Sequence, residues 1–439
     1  MASPGHYDMI VGTFDTPHLY SLRFTPPSSS HSKKAELKIL RRFSAIGSHS
    51  WLHLTPPRAN GTRCLYATAW TEPPSVAAYA VRSSNMIELL GSVTTRSRSG
   101  YVCANDHAVY SAGGATGEVF SVNPETGVFT EAKTTKMNRT VTAPDHKGTN
   151  GRLTPPGEKS INGHLTTSHQ SCVNGTNHPE YLQALSFTDV DKQQDDGSVM
   201  DFGGLRHGAH SVDLSPDGNR LYVADIGRNC VWTFDVEPGT ARLTNQQKAL
   251  ATRPHDGPRH VQPHPNSKKG LIYVLQEHSS MVDIFAPNSR DLGLQFSSGR
   301  RIIPRDEHEA DYWADEVRTS RSAGVAPKYL YASTRGLRAG KKGYVAVFKL
   351  TADGMFEGAS SDAPTNLYDG LVDMYETPTS GGWANAVEPG PTIDGLEYVA
   401  LTDSEQGFVF MLAFDGSKIT EVARVKLDDG GGAATAVWL

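Results

Sequence analysis

One histidine, one glutamate and two arginines of this chain fall on just two positions of an internal repeat. His210 stands six residues before Pro216 in HSVDLSPDGNRLYVADI, and Arg259 stands six before Pro265 in RHVQPHPNSKKGLIYVLQE. The turn after each proline leads into LYVADI or LIYVLQE. A third copy, LYASTR, ends at Arg335 in the place where IYVLQE ends at Glu277. His210 and Arg259 therefore share one repeat position, and Glu277 and Arg335 share another. In a closed, radially repeated fold, equivalent positions lie at one height around one axis. Residues spread over 125 positions of sequence are then expected to meet at one end of a central channel.

The chemistry open to such a set is proton transfer on a bound anion. A histidine near neutral pKa acts as general acid or base. Arg259 and Arg335 are suited to bidentate recognition of carboxylate or phosphate. A glutamate facing two arginines is held ionised, yet it can exchange protons once an anionic substrate occupies them. A lone Arg or Glu at a strand end is ordinarily a surface ion pair worth under about 1 kcal/mol. The shared repeat positions are what lift these four above that reading. No G-x-S-x-G elbow, H-E-x-x-H zinc motif or Walker loop is present. His207 with His210, and His260 with His264, have metal-like spacing, but on a strand such spacing does not focus ligands as it does on a helix. No metal or cofactor is expected.

The elements that must position these residues are strands. Runs such as MIVGTF, CLYATAW, SVAAYAV, AVYSAG, CVWTFDV, YVAVFKL and FVFMLAF recur between Pro/Gly/Asp/Asn/Ser turns, and no long segment has a 3.6-residue apolar period. They group into a unit of inner strand, S-P-D-G-type turn, L-Y-V-A strand, hairpin and V-x-V-F strand. Six clear or partial copies lie between about residue 45 and about residue 425. The N-terminal MIVGTF and LYSLRF supply half of a seventh, which the C-terminal ATAVWL completes, so that no sheet edge is left open. The expected fold is all-β: a seven-bladed β-propeller with four-stranded blades, the ring closed by N- and C-terminal strands. Six or eight blades are the alternatives.

The chain of 439 residues is then expected to be one domain spanning 1–439. Residues 134–180, rich in Thr, Asn, Gly, His and Pro, read as a loop insertion. Residues 300–315 (RRIIPRDEHEADYWAD) read as a charged insertion, either solvated or forming a rim over the channel. A net charge of −5, from 42 Lys+Arg against 47 Asp+Glu, argues against a nucleic-acid footprint and leaves a small anionic substrate open. No apolar run approaches the roughly 20 residues of a membrane helix, and no secretory signal is evident at the start. Four cysteines without a CxxC fit reduced thiols, and a cytoplasmic protein with no membrane partner is expected. On that footing the three N-x-T sequons are chance matches.

The segments PRHVQPHP, IYVLQE, LYASTR and HSVDLSPDGNRLYVAD resemble the seven-bladed lactonase-type propellers, which include 6-phosphogluconolactonases and the fungal carboxy-cis,cis-muconate cyclases. The cyclases are the nearer likeness, through VGTF-x-TP, SWLHL, PTSGG-x-x-NAV (Pro378 to Val387), ALTDSEQGFV, VARVKL and the terminal AVWL. The resemblance implies intramolecular lactonisation of 3-carboxy-cis,cis-muconate or a related unsaturated polycarboxylate, without metal. His210, Arg259, Glu277 and Arg335 match its proposed active-site residues. The arginines would bind carboxylates, and His210 or Glu277 would transfer the proton. Self-association as a homo-oligomer is implied by the same likeness. Trp383 and Asn385 join the substrate-binding set, and Trp383 departs from the family's histidine after SGG. Counted six before Pro389, Trp383 shares the position of His210 and Arg259, so a less charged or aromatic-derived substrate is expected. Lactone hydrolysis is the second reading, and a non-catalytic binding propeller the third.

Overall fold

The computed structural model describes residues 5–27, 34–130, 181–187, 208–288, 293–321, 326–358 and 366–439. The expected insertion at 134–180, together with His207 and Cys172, lies outside them. The described residues form seven sheets of four antiparallel strands. Each sheet is a blade, and its first strand lines the channel. Counted from the N terminus, the inner strands of blades 2 to 7 are Leu52–Leu54, Tyr101–Ala104, Ala209–Leu214, Pro258–Pro263, Tyr312–Thr319 and Val387–Ile393. The inner strand of blade 1 is the C-terminal strand, Ala433–Trp438. Each inner strand touches the next, all the way round.

Blade 1 closes the ring as expected. Met9 of strand Tyr7–Thr13 pairs with Trp438, and Val11 pairs with Ala436. Strands His18–Thr25 and Glu36–Ser44 complete that sheet. The Trp438 indole is buried and donates to the Glu388 carbonyl of blade 7 at 3.2 Å. Its ring occupies the space that a side chain at position 390 would fill, which is why Gly390 stands there.

The strand patterns follow from the layering. Second strands are covered on both faces by neighbouring blades and read as near-continuous apolar runs, such as Ile272–Gln276, buried throughout. Outer strands face water on one side, and Met86–Thr94 and Ile419–Lys426 accordingly mix exposed and half-buried residues. The S-P-D-G turn is fixed by local bonds: Arg220 N–H donates to Ser215 Oγ at 3.0 Å, and Gly218 takes φ +70°, which a side chain resists. Among the described residues the only helical turns are Ser267–Lys269 and Glu309–Asp311.

Residues 300–315 are a loop only between 302 and 311; their two ends belong to strands. Arg300 and Arg301 end the outer strand of blade 5, and Tyr312 to Asp315 begin the inner strand of blade 6. Arg300 is fully buried, over the Phe356 ring at 4.7 Å, and donates to the Asp369 carbonyl at 2.7 Å. Between these strands, residues 302–311 connect the blades, and Arg305, Asp306, His308 and Glu309 there are exposed.

Candidate active site

Three inner strands break register at the same place. In blade 4 the pairing skips between Ala209 and Ser211, in blade 5 between Pro258 and His260, and in blade 6 between Ala314 and Glu316. The extra residue of each β-bulge is His210, Arg259 and Asp315 respectively. A bulge leaves its residue outside the ladder and re-aims the side chain. In blades 4 and 5 it is prepared by a glycine two residues earlier. Gly208 (φ +56°) and Gly257 (φ +69°) accept from Ile226 N–H and Glu277 N–H, bonds that tie each bulge to the end of the second strand. Glu277 is delivered by that bond, and Arg335 comes from the end of strand Tyr329–Gly336.

The expected convergence is present. Arg259 Nη1 donates to Glu277 Oε2 at 2.7 Å, and Arg335 Nη2 lies 3.7 Å from Glu277 Oε1. Asp315 joins from the other side. Its Oδ1 lies 3.4 Å from Arg259 Nη2 and 3.5 Å from Arg335 Nη1. Arg259 Nε donates to the Asp315 carbonyl at 3.2 Å. Two guanidiniums thus share two carboxylates, all four buried. Arg335 is backed by the Trp313 ring, 4.9 Å from its guanidinium carbon. His210, on the neighbouring bulge, packs against the His260 ring at 5.1 Å between centroids, and its Nδ1 is buried without a hydrogen-bond partner.

The electrostatics separate these groups. Burial and the two arginines push His210 well below the usual imidazole range, so it is neutral. Burial pushes Glu277 up, but Arg259 and Arg335 outweigh it and hold the carboxyl below its usual range. At Asp315 burial prevails over the same arginines, and the neighbouring Glu277 charge adds to it. Its carboxyl is raised to about 6.

The next layer inward is aromatic. Trp51 and Tyr101 stack at 3.6 Å between ring centroids, and His260 packs edge-on against both. Arg318 lies over Trp51 at 5.0 Å, donates to Tyr101 Oη at 3.0 Å and pairs with Glu316 at 3.2 Å. The cluster therefore has an aromatic floor. His260 belongs to that floor, while His264 lies past the far end of the same strand, its Nδ1 accepting from Asn266 N–H. The two do not converge. Among the described residues no group of three or more His, Cys, Asp or Glu side chains could hold a metal ion.

Two expectations need correction. Trp383 does not share the position of His210 and Arg259. In blade 4 the proline lies in the turn after the inner strand, whereas Pro389 lies within the strand and pairs with Val399. Strand pairing puts Pro389 level with Val212 and Val261, which pair with Val223 and Val274. Trp383 sits before the strand and is 80% exposed. Asn385 does reach the cluster: its backbone N–H donates to Asp315 Oδ2 at 3.2 Å and its Nδ2 donates to the Thr334 carbonyl at 3.0 Å. The other correction is Asp315, absent from the sequence-based set. No proline stands six residues after it, where Arg321 is found. Counting back from LYASTR through the paired strand would have found it.

Two surface cavities of about 230 and 360 Å³ lie at turns beyond the opposite ends of these inner strands and contain none of the cluster. The cluster is filled by its own ion pairs.

A family of lactonases with the seven-bladed β-propeller fold matches residues 189–362. The muconate cycloisomerase 1 of Cutaneotrichosporon cutaneum is 39% identical over 446 aligned positions, covering 100% of this chain and 99% of that one. The carboxy-cis,cis-muconate cyclase of Neurospora crassa is 28% identical, over 53% of this chain and 60% of the relative. Among solved structures, a periplasmic gluconolactonase of Pseudomonas aeruginosa superimposes with a TM-score of 0.66 at 15% identity, covering 99% of each chain, a likeness of fold alone.

Proposed function

The chain belongs to the seven-bladed β-propeller lactonase family, and from that premise we propose that it is a cycloisomerase closing a muconate into its lactone. The carrying observation is the pair of buried guanidiniums sharing two carboxylates. Two fixed cations suit the two carboxylates of a muconate. A third buried arginine, Arg318, is already engaged with Glu316 and Tyr101 in the floor. A dicarboxylate is therefore favoured over the tricarboxylate as first substrate, in keeping with the full-length likeness to a muconate cycloisomerase.

In the reaction one carboxylate oxygen bonds to the fourth carbon of the chain. The π pair of that double bond moves to the carbon beside the other carboxylate, which then takes a proton. Negative charge builds on that second carboxylate during the step. A guanidinium fixed in a dry site stabilises it without reorganising. Arg259 and Arg335 hold the two ends, Glu277 orients both arginines, and His210, neutral, offers a hydrogen bond. Trp383 is an entrance wall rather than a carboxylate ligand.

A second reading, lactone hydrolysis, draws on the same neutral His210, whose unpartnered Nδ1 is suited to accept a proton from water. An ultraviolet assay separates the two. Purified protein with cis,cis-muconate is expected to bleach the conjugated diene, and Arg259→Met to lose about 10²–10³-fold in rate. Inertness towards cis,cis- and 3-carboxy-cis,cis-muconate, with hydrolysis of a sugar lactone, would overturn the first reading in favour of the second.

A further inference from the structure

The two carboxylates of the cluster face the same arginines but are not held alike. Glu277 spends both oxygens on cations: Oε2 accepts a 2.7 Å hydrogen bond from Arg259, and Oε1 faces Arg335. Asp315 spends only one oxygen on a hydrogen bond, Oδ2, which accepts from Asn385 N–H. Its Oδ1 lies between the guanidiniums at 3.4 and 3.5 Å, yet is aligned with neither and has no hydrogen-bond partner. It belongs to a carboxyl with no exposure at all, so it is a buried oxygen with bonding capacity unspent.

A bound dianion changes the two carboxyls unequally. Once substrate carboxylates occupy the guanidiniums, Asp315 loses the cations that favour its charge and gains anionic neighbours. A buried carboxyl in that position takes a proton. The groups facing it are Arg259 of blade 5, Glu277 at the end of the next strand, Arg335 of its own blade and Asn385 of blade 7. His210 is neutral, and Glu316, next along the strand, is turned to His260 and Arg318. Already in the free protein the environments pull the two carboxyls apart, Glu277 downward and Asp315 upward, which is how acid and base roles are divided in paired-carboxyl sites.

We propose that Asp315, not Glu277 or His210, is the acid that delivers the proton to carbon, its Oδ1–H standing between the two carboxylate-binding arginines. The assignment rests on the cycloisomerase reading. As the carboxylate oxygen closes on the fourth carbon, the displaced π pair takes the Asp315 proton at the carbon beside the second carboxylate. The Asp315 carboxylate left behind takes a proton from solution, the one proton consumed as the substrate dianion becomes the lactone monoanion.

The test compares Asp315→Asn, Asp315→Glu and Glu277→Gln in the full chain. Asp315→Asn is expected to cut kcat about 10²–10⁴-fold while KM stays level or falls, because a competing anion has been removed from the arginines. Glu277→Gln is expected chiefly to raise KM. Asp315→Glu is expected to restore part of kcat, with the descending limb of the kcat/KM profile, near pH 6 in the wild type, moved. Retention of kcat within about tenfold in Asp315→Asn, below the general-acid range, would overturn the assignment. A second readout does not depend on turnover. Difference infrared spectra with adipate, a dicarboxylate that cannot cyclise, are expected to show a carboxyl taking up a proton in wild type and Glu277→Gln but not in Asp315→Asn. Uptake that persists in Asp315→Asn would also overturn it. If the wild type turns over no muconate but the adipate signal tracks Asp315, the cycloisomerase reading fails while the proton position stands.

Discussion

Blades 4 to 6 and blades 2 to 3 meet the same channel at the same height, and among these only the first arc carries the ion-paired cluster. Strand pairing makes His210, Arg259 and Asp315 equivalent to Ser50 of blade 2 and Gly100 of blade 3. On the active arc each of the three occupies a bulge, and unspent polar atoms remain at His210 Nδ1 and Asp315 Oδ1. A break in register is not what separates the arcs: the Ser48–Trp70 bridge of blade 2 is one residue out of step with the Leu52–Ala67 pairing, a skip of the same kind. On the silent arc Ser50 is closed off by Thr68 Oγ1 at 2.9 Å, and Gly100 offers no side chain. The silent arc contributes one layer deeper instead, with the stacked Trp51 and Tyr101 that floor the site. The difference teaches how a near-symmetric ring makes a one-sided pocket. The side chains at the skipped positions supply the polar groups on one side, and small residues leave them room on the other.

The sharpest way to break this comparison is to cut one residue from each arc. Arg335→Met is expected to lower turnover about 10²–10³-fold and, since it strips a cation from two buried carboxylates, to lower stability as well. Trp51→Ala is expected to cost about 3–5 kcal/mol of stability, read by urea unfolding. A Trp51→Ala protein as stable as wild type would remove the floor from the account. Next in size is Gly100→Ala. Its new methyl would lie 3.0 Å from the His210 carbonyl oxygen, so it pushes on the blade 4 bulge from the silent arc. A loss of about 1–3 kcal/mol is expected, together with lower activity. Unchanged kinetics would mean that the two arcs are not coupled there.

The acidic groups give a subtler contrast. Burial raises Asp315 to about 6 and Glu316 to about 7. The folded state therefore binds these protons more tightly than the unfolded chain. That stabilisation is complete below the ordinary carboxylate range and is lost as pH rises through 6 and 7. Glu277 has the opposite sign. Its stabilisation is present above its ordinary value and is lost as pH falls through its lowered folded value. The buried neutral histidines pull the other way, so the Asp315 part is read as a difference: the urea midpoint of wild type relative to Asp315→Asn is expected to decline as pH rises from the ordinary carboxylate range through about 6. The smallest effect belongs to Trp383→Ala. An indole 80% exposed is expected to change stability by under about 0.5 kcal/mol, and KM is expected to move more than kcat.

The blade repeat was legible because each second strand must be apolar on both faces and each turn needs its Pro, Asp or Gly. The closure by ATAVWL followed from the need to leave no open edge. His210, Arg259, Glu277 and Arg335 could be grouped because a repeat position fixes height in the ring. What failed was the ruler. Prolines were used to count register, and a proline is tied to a turn only where the strand ends before it. Pro389 lies inside its strand, so Trp383 was misplaced by the count. Blade 6 has no such proline, so Asp315 was missed, and its charged flank read as loop. Bulges leave little trace in sequence; here the only hint is the glycine two residues before His210 and Arg259, which blade 6 lacks.

The central claim is that Arg259 and Arg335 hold the two ends of a six-carbon dicarboxylate. A crystal structure with adipate tests it most directly. The account predicts one carboxylate on each guanidinium, with the Arg259–Glu277 contact of 2.7 Å opened and Asp315 Oδ1 beside the ligand. Adipate seated elsewhere, as in the groove between blades 4 and 5 lined by Arg220 and Lys268, with both ion pairs intact, would contradict it.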